Sequence, residues 1–149
     1  MEKLTPTTMA IMEERFGKDN IIALATVCEG QPYVRYVNAY YEKGAFYIIT
    51  YALSNKMKHI EKNPTVSIAG DWFTAQGTGC NLGYFGKAEN AELAEKLRKA
   101  FATWIDNGHN NFADENTCIL RIELTEGVLF SKGIRYHIDF GKECGHGEI

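Results

Sequence analysis

The chain has 149 residues, the size of one typical domain, and is long enough to bury a core without disulfides or a structural metal. Its 45% hydrophobic and 23% charged residues are typical of an ordinary globular protein and exclude a disordered or fibrous one. A formal net charge of -3 gives no general attraction to nucleic acid or anionic lipid. Any anion must therefore be bound by a local group of residues.

The apolar stretches and the cysteines indicate a cytoplasmic protein. Residues 21–27 and 45–49 fall far short of the roughly 20 apolar residues that cross a bilayer, so no membrane span is predicted. The first residues lack the basic and apolar regions of a secretory signal. The four cysteines contain no C-x-x-C pair and are predicted to be reduced thiols in the core. Cys144 and His146 alone make a weak ligand set, and no metal is predicted.

The first part of the chain predicts a short helix and a three-stranded meander. Thr5 and Pro6 favour the start of a helix, and Gly17 favours its end. The segments that follow are β-branched or alternate between apolar and polar residues, and short turns separate them. These predicted strands are residues 21–28, 33–41 and 45–50.

The rest of the chain predicts two further helices and several strands. A helix of about two turns begins after Ser54, a good N-cap, and stops at Asn63-Pro64. Residues 91–105 form a longer helix, because apolar residues recur along one face and would pack against the sheet. That stripe is Leu93, Leu97, Ala100, Phe101 and Trp104. Further strands are predicted at residues 65–69, 81–89, 117–123 and 128–131. The stretch 70–79 matches no single conformation.

Six or more short strands joined mainly by hairpins favour an antiparallel barrel over a βαβ arrangement. We therefore predict a mainly β protein with peripheral helices, built as a six- to seven-stranded antiparallel split β-barrel. No repeat or linker interrupts the sequence. Residues 1–149 are predicted to form one domain, with a core at about residues 9–131 and a C-terminal tail at residues 132–149.

One group of polar residues is placed to bind a doubly charged anion. Arg35 lies on the second strand of the meander, Thr50 ends the third, and Ser54-Asn55-Lys56 begins the following helix. A helix N-terminus offers unpaired N–H groups and a positive dipole end. Three charge-assisted bonds of roughly 1.5 to 3 kcal/mol each match micromolar affinity.

A purely structural interpretation of the same residues stays open. Serine is a common helix cap without any ligand, and a lysine in a first turn is usually solvated. Lys56 is nevertheless unfavourable beside the positive end of the helix dipole. A bound anion would reverse the sign of that interaction, which favours the phosphate interpretation.

Five segments of the chain share a family pattern. They are Ile22-Ala23-Leu24-Ala25-Thr26-Val27, Gly30-Gln31-Pro32-Tyr33-Val34-Arg35, Ala45-Phe46-Tyr47-Ile48-Ile49-Thr50, Ser54-Asn55-Lys56 and Asn63-Pro64-Thr65-Val66-Ser67. In this order they resemble the pyridoxamine 5′-phosphate oxidase-like family of FMN-binding split barrels. The resemblance covers roughly residues 9–130.

The resemblance implies a set of FMN-binding residues. Those implied to grip the phosphate are Arg35, Ser54 and Lys56, with Asn55 between the last two. Those implied to line the flavin are Val37, Asn38, Thr50 and Tyr51. The resemblance also implies a homodimer with each flavin in a cleft between subunits.

Four aromatic or imidazole side chains are secondary candidates. Trp72, Phe73 and Tyr136 are candidates for the wall of the cleft that the partner subunit supplies, and core or dimer-contact roles stay open for each. His137 is a candidate for contact with flavin or substrate.

The implied function is an FMN-dependent oxidoreductase that acts on an unidentified small molecule, with NAD(P)H as a candidate electron donor. No catalytic side chain is predicted, since the cofactor would carry the chemistry. Oxidation of pyridoxamine phosphate is not expected, because the chain lacks the longer C-terminal region with which authentic pyridoxamine phosphate oxidases recognise their substrate. Residues 74–80 resemble an insertion without a family role.

Other functions stay open at this point. The same barrel could be a non-catalytic, stress-related flavin or haem protein, and haem would call for an axial ligand such as His137 or His146. A deazaflavin in place of FMN is a further alternative. A small barrel can also stack bases, but the acidic balance argues against it. No nucleic-acid or membrane partner is predicted.

Overall fold

Eight strands and three α-helices make up the part of the chain described by the structure, a computed structural model covering residues 2–108 and 110–141. The strands are β1 (Glu2–Lys3), β2 (Asn20–Cys28), β3 (Gln31–Glu42), β4 (Ala45–Tyr51), β5 (Thr65–Gly70), β6 (Phe73–Tyr84), β7 (Thr117–Ser131) and β8 (Ile134–Asp139). The helices are α1 (Pro6–Phe16), α2 (Asn55–Lys62) and α3 (Ala91–Ala100), and a 3₁₀ turn at Ala88–Asn90 precedes α3. Across these described residues, none of the helices has the length and apolar character needed to cross a membrane.

Six of the strands close into an antiparallel barrel. In the order β7-β4-β3-β2-β5-β6 each strand pairs with the next, and β6 pairs back onto β7. β8 extends the sheet beyond the barrel by pairing with the second half of β7, and β1 runs parallel to β8. The predicted mainly β, six- to seven-stranded antiparallel split barrel is confirmed.

The barrel is split where β3 and β4 diverge. Their ladder begins where Glu42 faces Ala45 and ends where Tyr40 faces Tyr47. Beyond that point β3 stays paired with β2, and β4 stays paired with β7. The first part of β3 and the end of β4 therefore face each other across an opening.

The core lies inside the barrel and under α1. Thr5 caps α1 through a capping box with Thr8 and so fixes where the helix begins. Phe16, at the end of α1, packs with ring centroids 5.6 Å from Phe46 and 5.5 Å from Phe73. A second apolar cluster between α3 and the sheet centres on Leu97, Phe101 and Ile119.

The middle of the chain differs from its sequence prediction. Residues 74–80 are not an insertion, since they lie within β6 and pair with both β5 and β7. The strand predicted at residues 81–89 ends at Tyr84 instead. Gly83 takes a φ of 86°, and the Asn90 amide donates hydrogen bonds to the carbonyls of Leu82 and Tyr84, which turns the chain into the 3₁₀ segment.

The C-terminal part of the chain also differs from its sequence prediction. Residues 117–123 and 128–131 belong to one strand, because β7 keeps β6 on one edge while its other edge passes from β4 to β8. The register of β6 against β7 shifts between Gln76 and Gly77, which leaves Thr125 of β7 as an extra residue between the two predicted strands. The predicted tail begins with β8. The helix predicted to reach residue 105 ends at Ala100 and continues as turns.

The cysteines differ from one another. Cys118 is buried and free, and burial raises the pKa of its thiol to about 11. Cys28 is also free. Cys80 is disulfide-bonded, which corrects the prediction of four reduced thiols. Cys144 and His146 lie outside the described residues.

We expect the stability of the fold to fall at high pH because of Tyr41. Burial raises the pKa of Tyr41 from 10.0 to about 12, so the unfolded chain releases this proton first. Between these two values the unfolded state binds fewer protons, and stability therefore falls as pH rises through this window. Urea unfolding measures this. Between pH 9 and 11, the free energy of unfolding of Tyr41→Phe should fall by about 1 kcal/mol less than that of wild type.

The matched control is Tyr51→Phe, because the Tyr51 side chain is 45% exposed and lies outside the core. It should follow the wild-type pH profile. Equal losses for wild type and Tyr41→Phe would contradict this account of the core.

Candidate functional site

A cavity of about 350 Å³ lies at the split between β3 and β4. Four predicted site residues line it: Val37, Asn38, Thr50 and Lys56. The rest of the wall is Ile48, Ile49, Trp104, Asn107 and Asn110. Two strands, the first turn of α2 and the segment after α3 therefore meet at this cavity.

Lys56 lies in the first turn of α2 and reaches back to the end of β4. Its Nζ donates a hydrogen bond to Thr50 Oγ1 at 2.6 Å. Burial lowers the pKa of Lys56, and the positive charge of Arg35 lowers it further. The ammonium group is thus partly withdrawn from water and close enough to a second cation to be repelled by it.

Arg35 is held against β2. Its Nη1 donates to Thr26 Oγ1 at 2.9 Å and to the Leu24 carbonyl at 3.1 Å. Burial lowers the pKa of Arg35 as well. These contacts use one nitrogen of the guanidinium. For Nε and Nη2, the residues that the structure describes supply no acceptor.

Among the residues that the structure describes, the positive charges of Arg35 and Lys56 lack a salt-bridge partner. Within residues 2–108 and 110–141, neither side chain forms a salt bridge. The two cations repel each other across a partly desolvated site, which is unfavourable in the absence of an anion. A bound dianion would turn this repulsion into attraction.

Ser54 occupies the N-cap position of α2, as predicted, but its side chain does not cap the helix. Its Oγ is buried and has no hydrogen-bond partner among the described residues. A buried polar group without a partner costs about 1–3 kcal/mol. Among the residues described, this hydroxyl therefore lies unpaired at the same helix N-terminus as Lys56.

Four predicted site residues lie outside the cavity wall. Tyr51 and Asn55 are exposed and do not belong to its wall. Arg35 and Ser54 are also not among the lining residues, although Arg35 interacts electrostatically with Lys56. The sequence thus indicated a group of residues of which four line one cavity.

The secondary candidates have different surroundings. Phe73 is buried in the core, which excludes it from the wall of a ligand cleft. Trp72 lies on the exposed turn between β5 and β6 and packs against Phe130. Tyr136 packs against the core. His137 pairs with Glu126 at 3.2 Å in another cavity, away from the β3–β4 split.

Sequence reasoning missed the wall formed by the segment after α3. Trp104 belongs to the apolar stripe of the helix, yet its indole Nε1 donates to Asp19 Oδ2 at 2.9 Å. Asp19 Oδ1 accepts from the Asn38 amide at 3.1 Å. Asp19 thereby joins two walls of the cavity. The asparagines that follow Trp104 were the available signal, since amide side chains after an amphipathic helix are typical of a ligand-facing loop.

The fold and the site define a class of protein: a split β-barrel with two neighbouring cationic side chains, Arg35 and Lys56, near a helix N-terminus beside the split. Residues 9–129 match the family model described as pyridoxamine 5′-phosphate oxidase, and the chain belongs to this family. The resemblance noted from the sequence is confirmed.

Known proteins of this fold have different ligands and roles. General stress protein 26 of Bacillus subtilis (strain 168) is 30% identical over 112 residues, covering 74% of this chain and 79% of that protein. A FAD-binding protein of Mesorhizobium loti has a TM-score of 0.64 and 16% identity, covering 83% of this chain and 92% of that one. A haem-binding protein of Mycobacterium smegmatis also has a TM-score of 0.64 and 16% identity, covering 89% of this chain and 55% of that one. At such identities the two structures share the fold alone.

We expect Asp19→Ala to loosen the cavity wall around Trp104. Hydrogen bonds to a charged acceptor contribute about 1.5 to 3 kcal/mol, and this variant removes two of them. The chain has two tryptophans, so Trp72→Phe leaves Trp104 as the single fluorophore. In that background, Asp19→Ala should shift the emission to longer wavelength and increase acrylamide quenching.

Asp106→Ala is the matched control, because the Asp106 side chain is 78% exposed and its ion pair with Arg98 is long at 3.7 Å. Unchanged quenching in Asp19→Ala would show that Asp19 does not hold the indole in solution.

Proposed function

We propose that this protein is a cytoplasmic FMN-binding oxidoreductase, formed by residues 1–149 as one domain. The observation that carries the proposal is the donor set at the start of α2. Arg35 and Lys56 repel each other and form no salt bridge with the residues described. Two residues before Lys56, the buried Ser54 hydroxyl has no hydrogen-bond partner in the same described part of the chain. The phosphate of FMN is a dianion and satisfies all three groups.

The remaining site residues suit the rest of the cofactor. Val37 on β3 and Ile49 on β4 offer apolar surface at the split, while Asn38 and Thr50 offer polar contacts. Since β3 and β4 do not pair there, a planar ring system has room between the strands. When bound, the flavin supplies the redox chemistry. The residues of the chain bind it, orient it and shield one side from water.

The substrate is proposed to be a small molecule that enters beside the flavin, with NAD(P)H as the candidate electron donor. The segment after α3 narrows the opening with Trp104, Asn107 and Asn110, so the space is suited to a compact acceptor.

A homodimer is proposed to complete the flavin site. The first part of β3 has β2 on one edge, and no described strand pairs with its other edge over residues 31–39. Beside this open edge, Ile21, Val34 and Tyr36 are 62%, 70% and 80% exposed. Ile21 lies directly opposite Asn38, a residue of the cavity wall. A second copy that covers this apolar face would therefore also border the cavity.

We expect Lys56→Ala to weaken FMN binding by about 1.5 to 3 kcal/mol, roughly ten- to a hundredfold, because one charge-assisted bond to the phosphate is lost. Titration of the purified protein with FMN, followed by fluorescence, measures this. Lys58→Ala is the matched control, since Lys58 lies on the same helix and is exposed. It should bind like wild type.

The spectrum of the protein as purified separates the alternatives. Flavin absorbance that NAD(P)H bleaches supports the proposal. A Soret band would indicate haem, and a cofactor mass matching a deazaflavin would replace FMN. A colourless protein that does not bind added FMN would overturn the proposal.

We expect Tyr36→Glu to convert the protein from dimer to monomer, because a charge would be buried without a partner in the apolar interface. Light scattering after size exclusion measures the mass, and FMN affinity should fall together with dimerisation. Ile134→Glu is the control, since Ile134 is 52% exposed on β8, away from β3. A wild type that is monomeric at micromolar concentration would contradict the dimer.

A further inference from the structure

A hydrogen-bonded chain leads from Arg35 away from the cavity to His59. Arg35 Nη1 lies 2.9 Å from Thr26 Oγ1, and Thr26 Oγ1 lies 2.9 Å from His59 Nδ1. Arg35 belongs to β3, Thr26 to β2 and His59 to the last turn of α2. This series of hydrogen bonds thus joins three elements beside the cationic site: β3, β2 and α2.

The hydrogens in this chain can be assigned by counting donors. A guanidinium nitrogen can only donate, so Thr26 Oγ1 accepts from Arg35. The Thr26 hydroxyl then has its own hydrogen to donate. Thr26 is fully buried, with no access to water, and His59 Nδ1 is the neighbour in reach. His59 must therefore accept at Nδ1, which is the neutral imidazole with its proton on Nε2.

Protonation of His59 would disturb this arrangement. A protonated Nδ1 donates, so two positive groups would donate to the same hydroxyl oxygen, and the Thr26 hydrogen would lose its acceptor in a buried place. Arg35 would then lose its fixed position. When His59 is neutral, the hydrogen bond to Thr26 holds Nη1 of Arg35 in place. The orientation of Nε and Nη2 is then fixed by the position of Nη1.

The surroundings of His59 contain several ionisable groups. From β3 they are Arg35 and Tyr33, whose ring lies 4.8 Å from the imidazole. Cys28 follows Thr26 on the same face of β2. Within α2, Lys56 and Lys62 lie three residues before and after His59. β6, which also contacts α2, contains no Asp, Glu, Lys or Arg. No carboxylate from these strands is therefore placed to favour the protonated form.

We propose that Thr26 and His59 are positioning residues of the phosphate site, and that neutral His59 locks Arg35 in its binding geometry through the Thr26 hydroxyl. Protonation of His59 unlocks Arg35 and weakens the site. This inference rests on the proposed function, since it assigns Arg35 to the phosphate of FMN. It makes cofactor affinity sensitive to the protonation of His59.

The direction in which FMN affinity changes at low pH tests the proposal, because simple electrostatics predicts a change of the opposite sign. A positive charge added to His59 would attract the phosphate and strengthen binding at low pH. Loss of the Arg35 anchor weakens binding instead. FMN affinity should be measured at pH 7.5 and 5.5 for wild type and for His59→Asn, whose amide oxygen can accept from Thr26 but does not titrate.

Wild type should lose about tenfold more affinity than His59→Asn over this interval, the value of one hydrogen bond to a charged group. Titration of the FMN phosphate itself affects both proteins equally. Equal losses, or a smaller loss in wild type, would overturn the inference. Thr26→Val should bind FMN about tenfold more weakly than wild type at pH 7.5, and Thr26→Ser should retain the affinity. Equal binding by wild type and Thr26→Val would also overturn it.

A measurement without FMN separates this inference from the proposed function. In ¹⁵N-labelled protein, the imidazole nitrogen shifts of His59 report its tautomer directly. We expect an unprotonated Nδ1 at pH 7.5 in wild type and a changed tautomer balance in Thr26→Val. A proton on Nδ1 in the neutral form would overturn the inference even if FMN binds. The expected tautomer in a protein that does not bind FMN would overturn only the proposed function.

Discussion

The structure depends on keeping two positive charges, Arg35 and Lys56, close together and partly out of water. Burial and mutual repulsion both act against this arrangement, and the pKa of Lys56 is lowered for these two reasons in that order. In the part of the chain that is described, no acidic side chain neutralises either group through a salt bridge. Such a pair persists only because rigid elements hold it, and it is useful only if an anion binds there.

The barrel supplies that rigidity through its split. β2 and β6 carry the wall against which α2 packs, while β3 is paired with β2 over residues 31–39 and β4 with β7. Each strand bordering the opening is thus anchored on its far side. The opening can stay free of strand pairing without cost to the rest of the sheet. Asp19, bonded to both Asn38 and Trp104, closes the other wall.

Local signals in the sequence were enough to predict the cationic part of the site. Ser54 and Lys56 follow from the start of a helix, and Arg35 from the alternation of a strand, so each depends on neighbouring residues only. Trp104 and Asp19 could not be found in this way, because 85 residues separate them in the chain and only tertiary packing brings them together. β6 was missed for a related reason. Its glycines left residues 70–79 without an assigned conformation, but in the structure they allow close contact, as Gly77 does with the backbone of Glu123.

The central claim is that the start of α2 and Arg35 recognise the phosphate rather than the ring of the cofactor. A calorimetric comparison of FMN with riboflavin, which has the same ring system and no phosphate, tests it most directly. The account predicts that riboflavin binds at least about a hundredfold more weakly, since two or more charge-assisted bonds are absent. Equal affinities for the two compounds would show that the cation pair serves another purpose, and would contradict the account.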